Sequence, residues 1–173
     1  NLNTTNVRIA TDIAFEIREK GRSKRKPNLK SPILLDGEII RDKKGAPIKK
    51  SGLFKDVKAV GWYVDEFKCA QISINFNNYK KSTIHEVFDK VCELANERGV
   101  RVTGSELVGL IPLDAMLMAG EFFLSKQRSS NGIPENDIIN IVTQSLGLND
   151  VVSFDPRKKI IEYAIKDKKN NLM

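Results

Sequence analysis

Residues 57–77 read VKAVGWYVDEFKCAQISINFN, and this stretch contains the two strands on which the fold depends. The runs 57–64 and 68–77 are rich in β-branched and aromatic side chains, and the polar residues between them predict the turn of an antiparallel hairpin. In the second run, apolar and uncharged polar side chains alternate, so the two-residue period of a strand separates them onto opposite faces. The apolar face is expected to pack against helices, and the opposite face carries Gln71, Ser73, Asn75 and Asn77.

Helical patterns flank this hairpin on both sides. Residues 7–20 place apolar side chains on one face at helical spacing, and Gly21 follows as a stop signal. The pattern Thr83-x-x-Glu86 is a capping box, which predicts a second amphipathic helix closed by Gly99. The remaining expected elements are a strand over 100–110 and three helices over roughly 112–125, 134–146 and 156–165.

The order of these elements predicts the fold class. Helix, hairpin, helix and strand form a split βαβ arrangement if one strand precedes the first helix. We therefore expect an α/β (α+β) fold with a ferredoxin-like sheet and helices on one face. Because only Asn1, Leu2 and Asn3 stand before the first helix, the first strand is expected to be missing and the chain to be a piece of a longer polypeptide.

The composition predicts one globular domain over residues 1–165. The chain has 173 residues, of which 40% are hydrophobic and 29% are charged, enough for a single core. Residues 22–52 are basic and rich in Pro, Gly and Ser, which predicts a surface insertion, and residues 166–173 are expected to be a frayed tail. Cys69 and Cys92 lie in apolar patterns without metal-ligand spacing, which favours reduced, buried thiols in a cytoplasmic protein.

The formal net charge of +7 is compatible with nucleic acid, an anionic membrane surface or an anionic small molecule as partner. The basic residues occur in loops and in the tail without interleaved aromatic side chains, which disfavours nucleic acid. No apolar run approaches the roughly 20 residues that a membrane-spanning helix needs. We expect no nucleic-acid partner and no membrane partner, so a solvated basic surface and an anionic small molecule remain.

Uncharged polar side chains on one sheet face are the strongest indication of a binding site. Amides and hydroxyls both donate and accept hydrogen bonds, which suits a heterocycle with donors and acceptors on its edge. An ordinary hydrated face is the alternative. In the neighbouring strand, Lys58 offers a charge to a carboxylate or simply reaches solvent, and Gly61 allows the close approach of a backbone or a ligand. Ser105 and Glu106 lie where a strand is expected to lead into a helix, a common place for a site.

The sequence offers no evident catalytic residue and no metal site. His85 is the only histidine, and it falls in the first turn of a helix, where the helix dipole disfavours its charged form. No nucleophile or carboxylate pattern surrounds it, so a surface or packing role is expected.

Four stretches of the chain resemble the glutamate formimidoyltransferase family, in this order and spacing. They are Val57-Lys58-Ala59-Val60-Gly61-Trp62, Ala70-Gln71-Ile72-Ser73-Ile74-Asn75, Gly104-Ser105-Glu106-Leu107-Val108-Gly109-Leu110-Ile111-Pro112-Leu113 and Phe154-Asp155-Pro156-Arg157-Lys158-Lys159-Ile160-Ile161-Glu162-Tyr163. The resemblance covers nearly the whole chain. It implies the C-terminal subdomain of an enzyme in which two subdomains enclose tetrahydrofolate, with the general acid/base histidine on the N-terminal subdomain.

The resemblance also implies an activity, namely a transferase of histidine degradation that moves a formimidoyl group from N-formimidoyl-L-glutamate to tetrahydrofolate. His85 does not match the catalytic position, so this chain is expected to be inactive without the N-terminal subdomain. A homodimer is compatible with the resemblance. The alternative is a non-catalytic module that binds folate or another anion, or that mediates interactions. The folate-lining residues that the resemblance implies are Lys58, Gly61, Gln71, Ser73, Asn75, Ser105 and Glu106.

Overall fold

The computed structural model describes residues 1–128 and 132–170, and its backbone contacts divide the chain into two compact units. The first unit comprises residues 1–82 and 86–102, and the second comprises the rest, whereas composition alone had indicated one domain. The fold is α+β, as predicted. In chain order the elements are α1 (Val7–Ile17), β1 (Arg22–Ser23), β2 (Lys49–Lys50), β3 (Val57–Val64), β4 (Cys69–Phe76), α2 (Ile84–Glu97), α3 (Leu113–Lys126), α4 (Glu135–Ser145), α5 (Pro156–Lys159) and α6 (Ile161–Asn170).

The predicted hairpin is formed by β3 and β4 and contributes to the hydrophobic core of the first unit. The strands pair antiparallel with Val57 opposite Phe76 and Val64 opposite Cys69. One face of the hairpin packs on α1, whose N-terminus is capped by the side chain of Asn6. The core of this unit includes Ile9, Ala10, Ile13, Ala14, Ile17, Val57, Ala59, Ala70, Val87, Val91 and Leu94.

Short extended segments continue this sheet beyond β4. The backbone N–H of Leu2 donates to the carbonyl oxygen of Ala70 at 2.9 Å, and Leu2 also pairs antiparallel with Val102. The spatial order is therefore β3, β4, residues 2–4 and Val102, which matches a split βαβ sheet. Residues 2–4 occupy the place of the first strand, which the sequence analysis expected to be missing.

The prediction of a strand over 100–110 is wrong beyond Val102. After that residue the backbone is irregular and folds against the end of α4. The N–H of Ser105 donates to the carbonyl oxygen of Gly147 at 2.9 Å. A Cβ added to Gly104 would lie 2.6 Å from the same oxygen, so the approach requires a glycine. Close packing has overridden the β-type composition of this stretch.

A buried group of four charged side chains, called here the Asp12 cluster, joins α1, β1 and α2. The carboxylate of Asp12 has no exposed surface and accepts hydrogen bonds from Arg22 at 2.6 Å and from Arg98 at 2.7 Å. Glu16 is partly exposed and accepts from the same two arginines, at 3.0 and 2.7 Å. Two carboxylates thus balance two guanidinium groups, and this pairing offsets the cost of removing the charges from water.

The segment 22–52 is a surface insertion only in part. Arg22 belongs to the Asp12 cluster, and Ile33 is 7% exposed and joins the core of the first unit. Most of the other side chains are exposed or half-buried. The whole segment contains ten Lys or Arg residues, including Arg22, and three Asp or Glu residues. The net charge of this segment is therefore +7, equal to that of the whole chain.

In the second unit, α3 packs against α4, and Ile160, with an extended backbone, separates α5 from α6. Ile160 forms a parallel bridge with Ile111. The hydroxyl of Tyr163 donates to a carboxylate oxygen of Glu135 at 2.6 Å and so links α6 to the start of α4. Of the tail predicted to be frayed, residues 166–170 continue α6, and the rest lies outside the described residues.

Candidate functional site

The β3–β4 hairpin presents a face that does not pack on α1, called here the open face. The strand register places Lys58 opposite Asn75, Val60 opposite Ser73 and Trp62 opposite Gln71. The predicted orientation of the amides and the hydroxyl, away from the helices, is confirmed, because the alternate residues of both strands belong to the core or pack against it. The name open face covers these three pairs of residues; the fourth pair on this side, Val64 and Cys69, is half-buried.

A chain of side-chain hydrogen bonds crosses one end of the open face. The indole N–H of Trp62 donates to Oε1 of Gln71 at 3.1 Å, and Nε2 of Gln71 donates to Oδ1 of Asn1 at 2.7 Å. These two contacts fix the direction of the Gln71 amide, with its oxygen toward the indole and its nitrogen toward Asn1. This end of the face is therefore held in one arrangement before any ligand arrives.

The other end of the open face carries its one charge. Lys58 is exposed, as are Asn75 beside it and Ser73 one pair further along. An ammonium group flanked by an amide and a hydroxyl can bind a carboxylate with a charge-assisted hydrogen bond. The open face thus combines one cationic group with neutral donors and acceptors.

Gly61 lies on the opposite face of β3, which corrects its assignment to the binding face. A Cβ at this position would lie 2.2 Å from the backbone nitrogen of Thr11 and 2.3 Å from the carbonyl carbon of Ala10. The glycine therefore permits the close approach of a backbone, as its place in a strand indicated, and that backbone belongs to α1.

Ser105 and Glu106 belong to the second unit, so the structure does not place them on the open face. The hydroxyl of Ser105 donates to the carbonyl oxygen of Leu146 at the C-terminal end of α4, where it has a structural role. Glu106 is exposed. Of the seven predicted site residues, the open face brings together Lys58, Gln71, Ser73 and Asn75.

Sequence reasoning missed two members of the open face, Val60 and Trp62. Their side chains are 53% and 49% exposed, although both are large and apolar. The signal was present in the two-residue period of β3, because Lys58 fixes the outward positions of that strand. The two side chains are neighbours on the same face of β3, so they add an apolar part to the otherwise polar open face.

His85, the only histidine of the chain, lies in a packed environment. His85 is 7% exposed, stacks on Phe122 with ring centroids 4.5 Å apart, and lies 3.0 Å from the hydroxyl of Thr83 through Nε2. Of the surface and packing positions expected for His85, the structure shows the packed one. Within residues 1–128 and 132–170, no group of three or more His, Cys, Asp or Glu side chains could hold a metal ion. In the same residues, no helix has the length and hydrophobicity needed to cross a bilayer.

The fold and the open face define an α+β protein whose β3–β4 hairpin presents a largely uncharged polar surface with one lysine. Comparison with known families identifies the family to which this chain belongs. Residues 1–166 match the model of the formiminotransferase domain. The chain belongs to the formiminotransferase domain family.

Individual relatives agree with this membership. The chain is 34% identical to the formimidoyltransferase-cyclodeaminases of Dictyostelium discoideum and Sus scrofa over 155 residues, which are 90% of this chain and 24% of each relative. It is 28% identical to the glutamate formimidoyltransferase of Thermoplasma acidophilum over 139 residues, 80% of this chain and 35% of that protein. The chain therefore spans about a quarter to a third of the length of these relatives.

Proposed function

We propose that this chain is the folate-binding C-terminal part of a glutamate formimidoyltransferase. The reaction would transfer a formimidoyl group from N-formimidoyl-L-glutamate to tetrahydrofolate, in histidine degradation in the cytoplasm. The observation that carries the proposal is the open face, a preordered sheet surface with one ammonium and several neutral hydrogen-bonding groups, in a chain of the formiminotransferase domain family.

The proposed reaction divides into positioning and proton transfer. N5 of tetrahydrofolate attacks the amidine carbon, and a tetrahedral intermediate forms. N5 gives up its proton, and the bond from that carbon to the glutamate nitrogen breaks as this nitrogen takes a proton, so the transfer is balanced by one proton moved from N5 to the leaving amine. Holding the two reactants at near-attack distance is worth several orders of magnitude in rate, and this is the contribution proposed for the open face.

The proton shuttle is not expected from this chain. His85 is buried in the second unit against Phe122, and its Nε2 lies beside Thr83. Losing an acid/base catalyst typically costs about 10² to 10⁴ in rate. The chain by itself is therefore proposed to bind folate weakly and not to transfer the formimidoyl group, and the missing histidine is proposed to lie on an N-terminal subdomain.

One assay on three proteins tests the proposed division of roles. Formation of 5-formimidoyltetrahydrofolate is measured for the full-length protein that contains these residues, for this chain alone, and for this chain with His85→Ala. Full-length protein should be active and the chain alone inactive. Turnover by the chain alone that disappears with His85→Ala would contradict the division of roles.

Introducing a negative charge tests the open face within the full-length protein. Ser73→Glu places a carboxylate on the open face at an exposed position, so it should strongly raise the KM for tetrahydrofolate through repulsion of the folate carboxylates. Ser51→Glu makes the same change at another exposed position of the first unit and serves as the matched control. Equal effects of the two variants would remove the support for this face.

A further inference from the structure

We propose that the segment 22–52 binds the surface of an anionic lipid bilayer, with Leu29 inserted at the interface and lysines of the same segment against the headgroups. This binding is independent of folate and of the transfer reaction. A bilayer surface can be bound without the long apolar run whose absence led to the expectation of no membrane partner.

The apolar element of this surface is a leucine on an ordered turn. Leu29 has a relative exposure of 101%. The N–H of Ser31 donates to the carbonyl oxygen of Asn28 at 3.0 Å and so closes the turn around Leu29 and Lys30. The N–H of Lys30 donates to Oδ1 of Asn28, also at 3.0 Å. A large apolar side chain is therefore presented to solvent next to an exposed lysine.

Ser31 attaches this turn to the body of the first unit. Its hydroxyl donates to Oδ2 of Asp36 at 2.6 Å and accepts from the N–H of Ile33 at 3.1 Å. Ile33 belongs to the hydrophobic core, and Asp36 forms an ion pair with Arg8 of α1. Because the turn is held at its base, Leu29 can enter an interface without first ordering the backbone that carries it.

The segment that carries this leucine is strongly basic, with ten Lys or Arg residues against three Asp or Glu residues. Lys43 and Lys44 lie on a second turn, in which Oδ1 of Asp42 accepts from the N–H groups of Lys44 and Ala46 at 2.8 and 2.9 Å. Both lysines are exposed. A lysine close to an anionic bilayer typically raises the affinity about fivefold, so a few of them suffice for measurable binding.

Other polyanions match this combination less well than lipid. Residues 22–52 contain no aromatic side chain on which a nucleic-acid base could stack. A polypeptide of acidic residues would pair with the lysines but would leave Leu29 in water. The interface of an anionic bilayer offers negative charge and hydrocarbon together, and it therefore matches both features of the segment.

Sedimentation with vesicles tests the proposal on the full-length protein. One set of vesicles is phosphatidylcholine alone, and the other is two parts phosphatidylcholine to one part phosphatidylglycerol. The protein should sediment with the anionic vesicles and remain in solution with the neutral ones. Raising the salt from about 0.05 M to about 0.5 M should weaken the binding strongly, because the lysines act through charge.

Variants at Leu29 test the apolar contribution. Leu29→Ser should lower the partition coefficient for anionic vesicles by about fivefold or more, because it removes the side chain that enters the interface. Leu29→Trp should retain or strengthen binding, since tryptophan is favoured at the interface. The matched control is Leu110→Ser, the same change at a leucine of the second unit that is 57% exposed, and it should have little effect.

A pair of lysine variants tests the contribution of charge. Lys43→Gln combined with Lys44→Gln should lower the partition coefficient by about tenfold or more. Lys68→Gln combined with Lys158→Gln removes the same charge from side chains outside the segment that are 75% and 82% exposed. This control pair should bind nearly as well as the unchanged protein.

The remaining outcomes would overturn the proposal. They are absence of binding to anionic vesicles at low salt, no effect of Leu29→Ser, and equal losses for the two lysine pairs. Labelled polyglutamate and single-stranded RNA are titrated in parallel by fluorescence anisotropy. Tighter binding of either polymer than of vesicles, sensitive to Lys43→Gln with Lys44→Gln and insensitive to Leu29→Ser, would assign the segment to that polymer instead.

Discussion

Replacing Asp12 by asparagine tests the energetic role of the Asp12 cluster. Asp12 accepts hydrogen bonds from Arg22, from two nitrogens of Arg98 and from the backbone N–H of Leu35 at 2.9 Å. Asp12→Asn keeps the shape of the side chain but leaves two buried guanidinium groups with Glu16 as their one remaining carboxylate in the cluster. Breaking a buried ion pair in this way typically costs about 3–5 kcal/mol.

The expected loss of unfolding free energy is large enough to measure by thermal unfolding. For a unit of about 100 residues, a loss of 3 kcal/mol lowers the Tm by about 12 °C or more. Calorimetry or circular dichroism would measure this shift. Asp65→Asn is the matched control, because the Asp65 side chain is 90% exposed and forms only a loose ion pair with Lys68, and such pairs add little to stability. Similar shifts for both variants, or no shift for Asp12→Asn, would refute the reasoning.

Two further predictions concern other parts of the chain. Gly61→Ala should destabilise the first unit by about 1–3 kcal/mol in urea unfolding, because its Cβ would collide with the backbone of Thr11, whereas the exposed Ser73→Ala should be neutral. Burial, then the hydrogen bond to Glu135, raises the pKa of Tyr163 to about 12. Since the unfolded side chain ionises near its ordinary pKa of 10.0, stability should fall as the pH rises from 10 toward 12, and Tyr163→Phe should remove this part of the pH dependence.

Each of these two predictions has a result that would contradict it. An unchanged urea midpoint for Gly61→Ala would show that α1 can move away from β3 at little cost. For Tyr163, an ultraviolet titration of the phenolate should lose a transition near pH 12 in the phenylalanine variant. Loss of a transition near pH 10 instead would contradict the assigned shift.

The sequence predicted those features that depend on local periodicity. The helix over residues 7–20 forms as Val7–Ile17, and the hairpin forms with its amides outward, because burying one face fixes the register of a strand. The outward position of Trp62 follows from the same period, but the sequence analysis applied that period only to the second strand. The sequence analysis therefore assigned the open face without its aromatic member.

Features that depend on distant contacts could not be predicted. Asp12 and Arg98 are separated by 86 positions, and nothing local to either residue indicates that they meet. Likewise, the β-type residues after Val102 gave no sign that Gly104 would pack against Gly147. Both arrangements are set by tertiary packing, which overrides intrinsic propensity.

The concentration of charge in residues 22–52 has a consequence for how the protein meets charged surfaces. Outside this segment the numbers of acidic and basic side chains are equal, so the chain is an electric dipole and not a uniformly positive particle. On a cation-exchange support it should be retained through this one segment and adsorb in one preferred orientation. Proteolytic removal of part of the segment should therefore appear first as earlier elution, before any change in ligand binding.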